Sequence, residues 1–259
     1  MSRYALCLEY DGGDFSGWQS QSNGPSVQAS VEAALSRVAD QKVRVHGSGR
    51  TDAGVHATGQ VAHFDSEVQR TVRQWLLGLN ANLADSIVAR WLVPVSGEFD
   101  ARRSAAWREY AYTIVNRPVR PALGRGAVAW VREPLDVGAM LAAASAWLGE
   151  HDFSALRAAH CQSRTAVRCL LRVAVDRVDA AELRLVFRAN AFLYHMVRNM
   201  VGTLIEVGTG RMTVSAAAAL LATGDRTLAG PTAPAPGLCL RAIGYPDRFA
   251  LPPMNGPDG

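Results

Sequence analysis

Lysine is almost missing from this chain: Lys42 stands alone against 26 arginines. A phosphate-binding P-loop needs a lysine directly after glycine, and Lys42 lies between Gln41 and Val43, so that class of nucleotide hydrolase is excluded. Gly47 and Gly49 begin a G-x-G, but the position that a dinucleotide fingerprint fills with its last glycine holds Asp52. No apolar run approaches the roughly 18 residues needed to cross a bilayer. Met1 to Tyr10 carries one basic residue and runs into an acidic stretch, unlike a signal peptide. A soluble cytoplasmic protein is expected. Cys7, Cys161, Cys169 and Cys239 form no C-x-x-C pair and are too sparse for a disulfide scaffold, so reduced, core-filling thiols are expected. The histidines show no metal-ligand spacing, and no metal site is expected.

What is present is a chain of 259 residues, 49% of them apolar, long enough for one large or two small domains. Its charge is uneven. Residues 1–105 carry 10 basic and 11 acidic side chains, whereas residues 106–259 carry 17 and 12. From Arg102 to Arg132 there are seven arginines against Glu109 alone, the footprint of a surface for a polyanion. A solvated basic face with no partner has the same composition.

Tyr4 to Tyr10 predicts a strand into a turn, Ser26 a cap for a helix to Ala39, and Val43–His46 and Gln60–Asp65 two further strands. Val72–Leu83 predicts a helix and Ile87–Val95 a strand. The second half predicts a strand over Trp107–Asn116, a helix over Leu135–Leu148 and a hairpin of Cys169–Arg177 with Glu182–Asn190. Helices over Phe192–Val207 and Val214–Ala222 and a strand over Leu238–Tyr245 follow. This order predicts an α+β fold of two ferredoxin-like split β-α-β units, with mainly antiparallel sheets packed by helices. The expected divisions are 1–105, 106–245 and a loose Pro/Gly-rich tail over 246–259.

Four segments can carry chemistry. His46 to Ala57 follows a strand and contains three glycines, which let a loop hold Asp52 exposed and let a ligand come close. A carboxylate there can act as nucleophile or base, and Arg50 beside it favours the ionised form. Asp52 could equally cap a turn. In the apolar helix expected from Phe192, the residues Ala191, His195, Arg198 and Gly202 would share a stripe. A buried Arg198 needs a partner, with Asp52 the candidate, unless it snorkels to solvent. Tyr110 and Tyr112 share one side of a strand and could stack on an unpaired base or simply pack in a core. Tyr10 to Gln19 could contact RNA or be a tight turn.

Together these segments resemble the tRNA pseudouridine synthase I (TruA) family. The resemblance rests on G-R-T-D-A-G-V-H-A at Gly49–Ala57 and Y-D-G-x-x-F-x-G-W-Q at Tyr10–Gln19. It is carried further by the strand at Tyr110, H-M-V-R-N-M-V-G at His195–Gly202, G-L-x-L at Gly237–Leu240 and C-Q-S-R-T at Cys161–Thr165. It implies an isomerase, active without a cofactor, that converts uridine to pseudouridine at positions 38, 39 and 40 of the tRNA anticodon stem-loop. It implies Asp52 as the catalytic group, Arg50 contacting substrate, Tyr110 stacked on the uracil, Arg198 paired with Asp52 and Leu240 against the flipped base. A homodimer, a cleft between the two units holding the site and a basic RNA-binding surface on the second unit are also implied. Glu109 departs from the basic residue that many relatives carry there. Two other readings fit parts of the sequence: a non-catalytic tRNA-binding module, and a glycosidase-like hydrolase, which would need a second acid near Asp52.

Overall fold

The computed structural model describes residues 1–21 and 24–253. The described chain forms two compact units, one of Met1–Trp107 with the described residues from Leu240 to 253, the other of Arg108–Cys239.

In the first unit, strand β1 (Ser2–Tyr10) runs between β3 (His56–Ser66) and β4 (Ile87–Val95), antiparallel to both. Tyr4 faces Phe64 on one side and Pro94 on the other. The short β2 (Val45–Gly47) pairs with β3, and β10 (Leu238–Gly244) completes the order β4-β1-β3-β10. Helix α1 (Val27–Ala39) starts where the Ser26 side chain accepts the Ala29 N–H and ends at Asp40 in a left-handed conformation. Helix α2 (Val72–Asn82) starts with a reciprocal cap between Thr71 and Gln74. Both helices bury an apolar stripe, and Trp75 of α2 meets Tyr4 and Phe64 at ring distances of 5.8 and 5.3 Å. That covers one face of the sheet. On the other, His63 contacts Phe99, and Phe99 contacts Phe249 at 5.2 Å. Burial on both faces is why β1 reads as an unbroken apolar run from Tyr4 to Leu8 rather than an alternating one.

In the second unit, β5 (Trp107–Asn116), β9 (Glu182–Ala189), β8 (Val167–Arg177) and β7 (Gly149–Asp152) lie side by side in that order, each pair antiparallel. The short β6 (Ala129–Val131) pairs parallel to β5. Helices α3 (Val137–Ser145), α4 (Met196–Gly208) and α5 (Val214–Thr223) complete the unit. Ten of the 13 residues of α4 are buried, so it is enclosed rather than amphipathic. Gly202 makes this possible: a side chain there would run into the Pro231 carbonyl.

The fold is of the expected α+β class, with mainly antiparallel strands. Several expectations need correction. Helix α4 begins at Met196, not Phe192, because His195 adopts φ 60° and the Met196 N–H turns back to the Leu193 carbonyl. The proposed stripe therefore loses Ala191 and keeps His195 only as the cap. Helix α3 is shorter than expected, since its N-cap is Asp136, whose side chain accepts the Ala139 N–H. Of the four cysteines, all free, only Cys7 is fully buried. Phe249 is buried in the first unit, so the chain just after β10 is packed there, and residues 254–259 of the expected tail lie outside the described residues. No described helix is long and apolar enough to cross a membrane.

Candidate active site

Asp52 stands in the loop between β2 and β3, and three separate elements hold that loop. Within it, the Ser48 hydroxyl donates to Gln60 Oε1 at 2.6 Å, and Gln60 Nε2 donates to the Gly49 carbonyl at 3.0 Å. Gln60 and Ser48 are both buried, so this pair is a polar anchor inside the unit. From β1, the Tyr10 hydroxyl bonds the Thr51 hydroxyl at 2.8 Å. From the segment Tyr10–Gln19, the Trp18 N–H donates to the Thr51 carbonyl at 3.0 Å, and the Phe15 carbonyl accepts the Gly54 N–H at 3.3 Å. Finally Val55 N–H donates to the Asp52 carbonyl at 3.1 Å, closing a turn.

The segment Tyr10–Gln19 is thus a brace for the Asp52 loop. Helix α1 fixes it in turn. The first N–H groups of a helix lack partners within it, and here Val27 and Gln28 donate theirs to the carbonyls of Gly17 and Trp18 at 3.2 and 3.0 Å. Gly17 has φ 106°, and a side chain there would come within 2.6 Å of the Thr51 carbonyl. The Trp18 indole lies so close to Gly47 that a Cβ on Gly47 would fall 2.5 Å from the ring. The glycines of both segments are therefore needed for the two backbones to meet. Gly49 is different: its Cβ would meet nothing within 4 Å.

Asp52 itself is half-buried, between a buried Thr51 and an exposed Ala53. Arg50 is exposed, and its Nε donates to Gln19 Oε1 at 3.0 Å. Gln19, itself tied to Gln28 of α1 at 3.0 Å, thus sets the direction of the guanidinium. Leu240, on β10 of the same unit, is 1% exposed.

Tyr110 and Arg198 belong to the second unit. Tyr110 is half-buried on β5, opposite Phe187 of β9, with its ring edge-on to Phe192 at 5.2 Å. Its neighbour on the same face, Tyr112, is a core residue: it is wholly buried, and its hydroxyl donates to the Pro234 carbonyl at 2.7 Å. Burial pushes the Tyr112 phenol up from its ordinary value, against the pull of the Arg198 charge. The two tyrosines are therefore not equivalent: Tyr112 is wholly buried and Tyr110 only half-buried. Gly237 of G-L-x-L packs on that Tyr112 ring, where a Cβ would come within 2.6 Å.

Arg198 lies on the first turn of α4. Its Nε donates to the Ala233 carbonyl at 2.7 Å, the Ala233 N–H returns to the Arg198 carbonyl at 3.0 Å, and its Nη1 lies 3.4 Å from His195 Nε2. The side chain is half-buried and oriented, rather than trailing into solvent. Glu109 is held by Arg188 of β9 at 2.8 Å.

Sequence reasoning missed the brace. Tyr10, Gly17, Trp18, Gln60 and Ser48 form the machinery that fixes Asp52. The signal was available in Gly12 and Gly17, which sit in one short motif: a Cβ on Gly12 would run into the Val55 carbonyl.

The sequence matches the family described as tRNA pseudouridine synthase over residues 6–102 and 143–246. It is 53% identical over 253 residues to tRNA pseudouridine synthase A of Xanthomonas euvesicatoria pv. vesicatoria, covering 96% of this chain and 98% of that one. It is 52% identical over 253 residues to the protein of the same name from Xylella fastidiosa (strain M23), covering 97% and 98%. A solved H/ACA RNP bound to a substrate RNA containing 2′-deoxyuridine is similar only at TM-score 0.38 and 12% identity, over 79% of this chain and 44% of that one, too slight a likeness to inform fold or function. On the family match and the near full-length identity to its members, the chain belongs to the tRNA pseudouridine synthase family.

Proposed function

We propose that this chain isomerises uridine to pseudouridine at positions 38, 39 and 40 of the tRNA anticodon stem-loop, with the Asp52 carboxylate as catalytic group and no cofactor. Family membership supports the reaction class. The observation that carries the role of Asp52 is the clamp on its loop, in which β1, β3 and the segment anchored by α1 fix the backbone on either side of the half-buried Asp52. A turn-capping aspartate needs no such support. Preorganised geometry of this kind is what a group reacting with a bound substrate requires.

The reaction breaks the N1–C1′ bond of uridine and forms a C5–C1′ bond. C5 gives up its proton and N1 gains one, so there is no net redox change and no group is lost. Asp52 supplies the nucleophilic oxygen, adding to C6 of uracil or to C1′ of the ribose, and that bond breaks again before product leaves. Tyr110 stacks on the everted base, offsetting a few kcal/mol of unstacking, and its phenol oxygen is the candidate acceptor of the C5 proton, its own hydroxyl proton passing to solvent. Arg198 pairs with Asp52, Arg50 contacts the substrate backbone from its seat on Gln19, and Leu240 packs against the base. By the same resemblance the enzyme works as a homodimer in the cytoplasm.

The test is release of tritium from C5-labelled uridine in tRNA. The expected result is one tritium per pseudouridine formed, with no free uracil. Free uracil would indicate a hydrolase, and tRNA binding without release would indicate a non-catalytic module.

A further inference from the structure

We propose that the excursion from Arg117 to Arg132 is a docking surface for the phosphate backbone of tRNA, additional to the residues that hold the target uridine. The inference rests on the reading of tRNA as substrate and names where that polyanion gains purchase. The excursion lies outside the residues matched to the family, 6–102 and 143–246.

Its frame is rigid. The chain leaves β5 at Asn116 and returns as β6, with Ile114 opposite Ala129 and Asn116 opposite Val131. The buried Asn116 side chain ties the base of the loop, donating to the carbonyls of Val131 and Glu133 and accepting the Leu135 N–H. Trp130 Nε1 donates to the Arg117 carbonyl at 2.8 Å, and Arg117 Nε to the Val119 carbonyl at 2.9 Å. Gly124, at φ 66°, accepts the Ala127 N–H at 2.9 Å and makes the tip turn. Pro118 and Pro121 restrict the backbone further. Little order is lost when such a loop binds.

Its charge is of one sign. Arg117, Arg120, Arg125 and Arg132 are all exposed, and none makes an ion pair among the described residues. No acid lies between Glu109 and Glu133. Glu109 is taken by Arg188, and Glu133 lies within electrostatic range of Arg211. Four guanidinium forks on a stiff loop match phosphate oxygens, which arginine grips in two-pronged fashion. The exposed Leu123 and Val119 do not form the amphipathic helix that a membrane-surface anchor uses.

The test compares wild type with R117Q/R120Q/R125Q/R132Q for tRNA affinity over a range of salt and for steady-state turnover. Each phosphate contact adds about 0.7–0.9 to the slope of log affinity against log salt, so the variant's slope should be shallower by up to about 3.6. KM for tRNA should rise roughly 10–100-fold at moderate salt while kcat at saturation stays within about twofold. A second variant, R120E/R125E, changes only side chains outside the loop's internal hydrogen bonds; it should melt like wild type and weaken tRNA binding further. An unchanged slope and KM in both variants, or a fall in kcat with KM intact, overturns the docking surface. So does loss of binding to phosphatidylglycerol vesicles with tRNA affinity intact. Wild-type protein that releases no tritium from labelled tRNA overturns the substrate reading itself, a result separable from failure of the variants.

Discussion

Tyr10 and Thr51 share a 2.8 Å hydrogen bond between two buried hydroxyls, so the end of the first strand grips the residue directly before Asp52. Tyr10→Phe removes that bond and leaves the Thr51 hydroxyl short of a partner. The expected cost is about 1–2 kcal/mol, or roughly 2–8 °C in Tm for a chain of this size. Turnover should fall about tenfold, because the loop loses one of its supports. Calorimetry and tritium release check both. Full activity at a lowered Tm would show that the bond serves the fold alone.

Two glycines near Asp52 should behave in opposite ways. Gly17→Ala forces a side chain into φ 106° and against the Thr51 carbonyl. It should displace the loop and lower kcat by about 100-fold. Gly49, inside the signature itself, has room for a methyl group. Gly49→Ala should therefore melt within about 2 °C of wild type. A Gly49→Ala protein destabilised as much as Gly17→Ala would contradict the steric account.

The bond from Arg198 to the Ala233 carbonyl makes a third prediction. Arg198→Met keeps bulk and stem packing but loses that bond and the charge. Stability should fall by about 1–2 kcal/mol and kcat by more than tenfold. Arg198→Lys should restore neither in full, because an ammonium lacks the planar fork. A wild-type melting curve and rate for Arg198→Met would remove this residue from both roles.

The pH dependence of stability should carry the mark of His63. This ring is buried in the first unit, where its Nδ1 accepts the Ala101 N–H at 3.1 Å. Burial, with the Arg3 charge beside it, lowers its pKa to about 4. The unfolded chain binds a proton near the ordinary histidine value of about 6.5, so between those values it holds more protons than the folded chain. Stability from this group is therefore complete above about pH 6.5 and is lost as pH falls to about 4. At about 1.4 kcal/mol per unit, the loss is roughly 3 kcal/mol. Urea titrations at pH 7.5, 6, 5 and 4.5 would reveal it, and His63→Gln should flatten that window. Asp65 adds a lower step. The Arg3 side chain bonded to it at 2.8 Å depresses its carboxyl, and that contribution goes only once pH falls below the usual carboxylate range.

The sequence made the long elements legible because their patterns are intrinsic. Ile87–Val95 and Trp107–Asn116 were readable to the residue, and Ser26 marked the start of α1 through its capping side chain. What was not legible depends on partners distant in the chain. The strand Gly149–Asp152 is polar and is a strand only because β8 offers it an edge. Ala129–Val131 is three residues long and exists through its parallel pairing with β5. The start of α4 was misplaced because Phe192–Tyr194 continues the apolar pattern, while one left-handed residue, His195, decides where the helix begins. At the site, the glycines of His46–Ala57 made the loop that carries Asp52 legible as a loop. That Tyr10–Gln19 would wrap it could not be read from periodicity, because the contact is made by backbone carbonyls and N–H groups that every residue carries.

The most direct measurement is single-turnover pseudouridine formation by Asp52→Asn on tRNA, read beside its tRNA affinity and its melting temperature. The expected result is a folded protein that binds tRNA within about threefold of wild type and forms no detectable product, a loss confined to the chemical step. Pseudouridine formed at anything near the wild-type rate would contradict it.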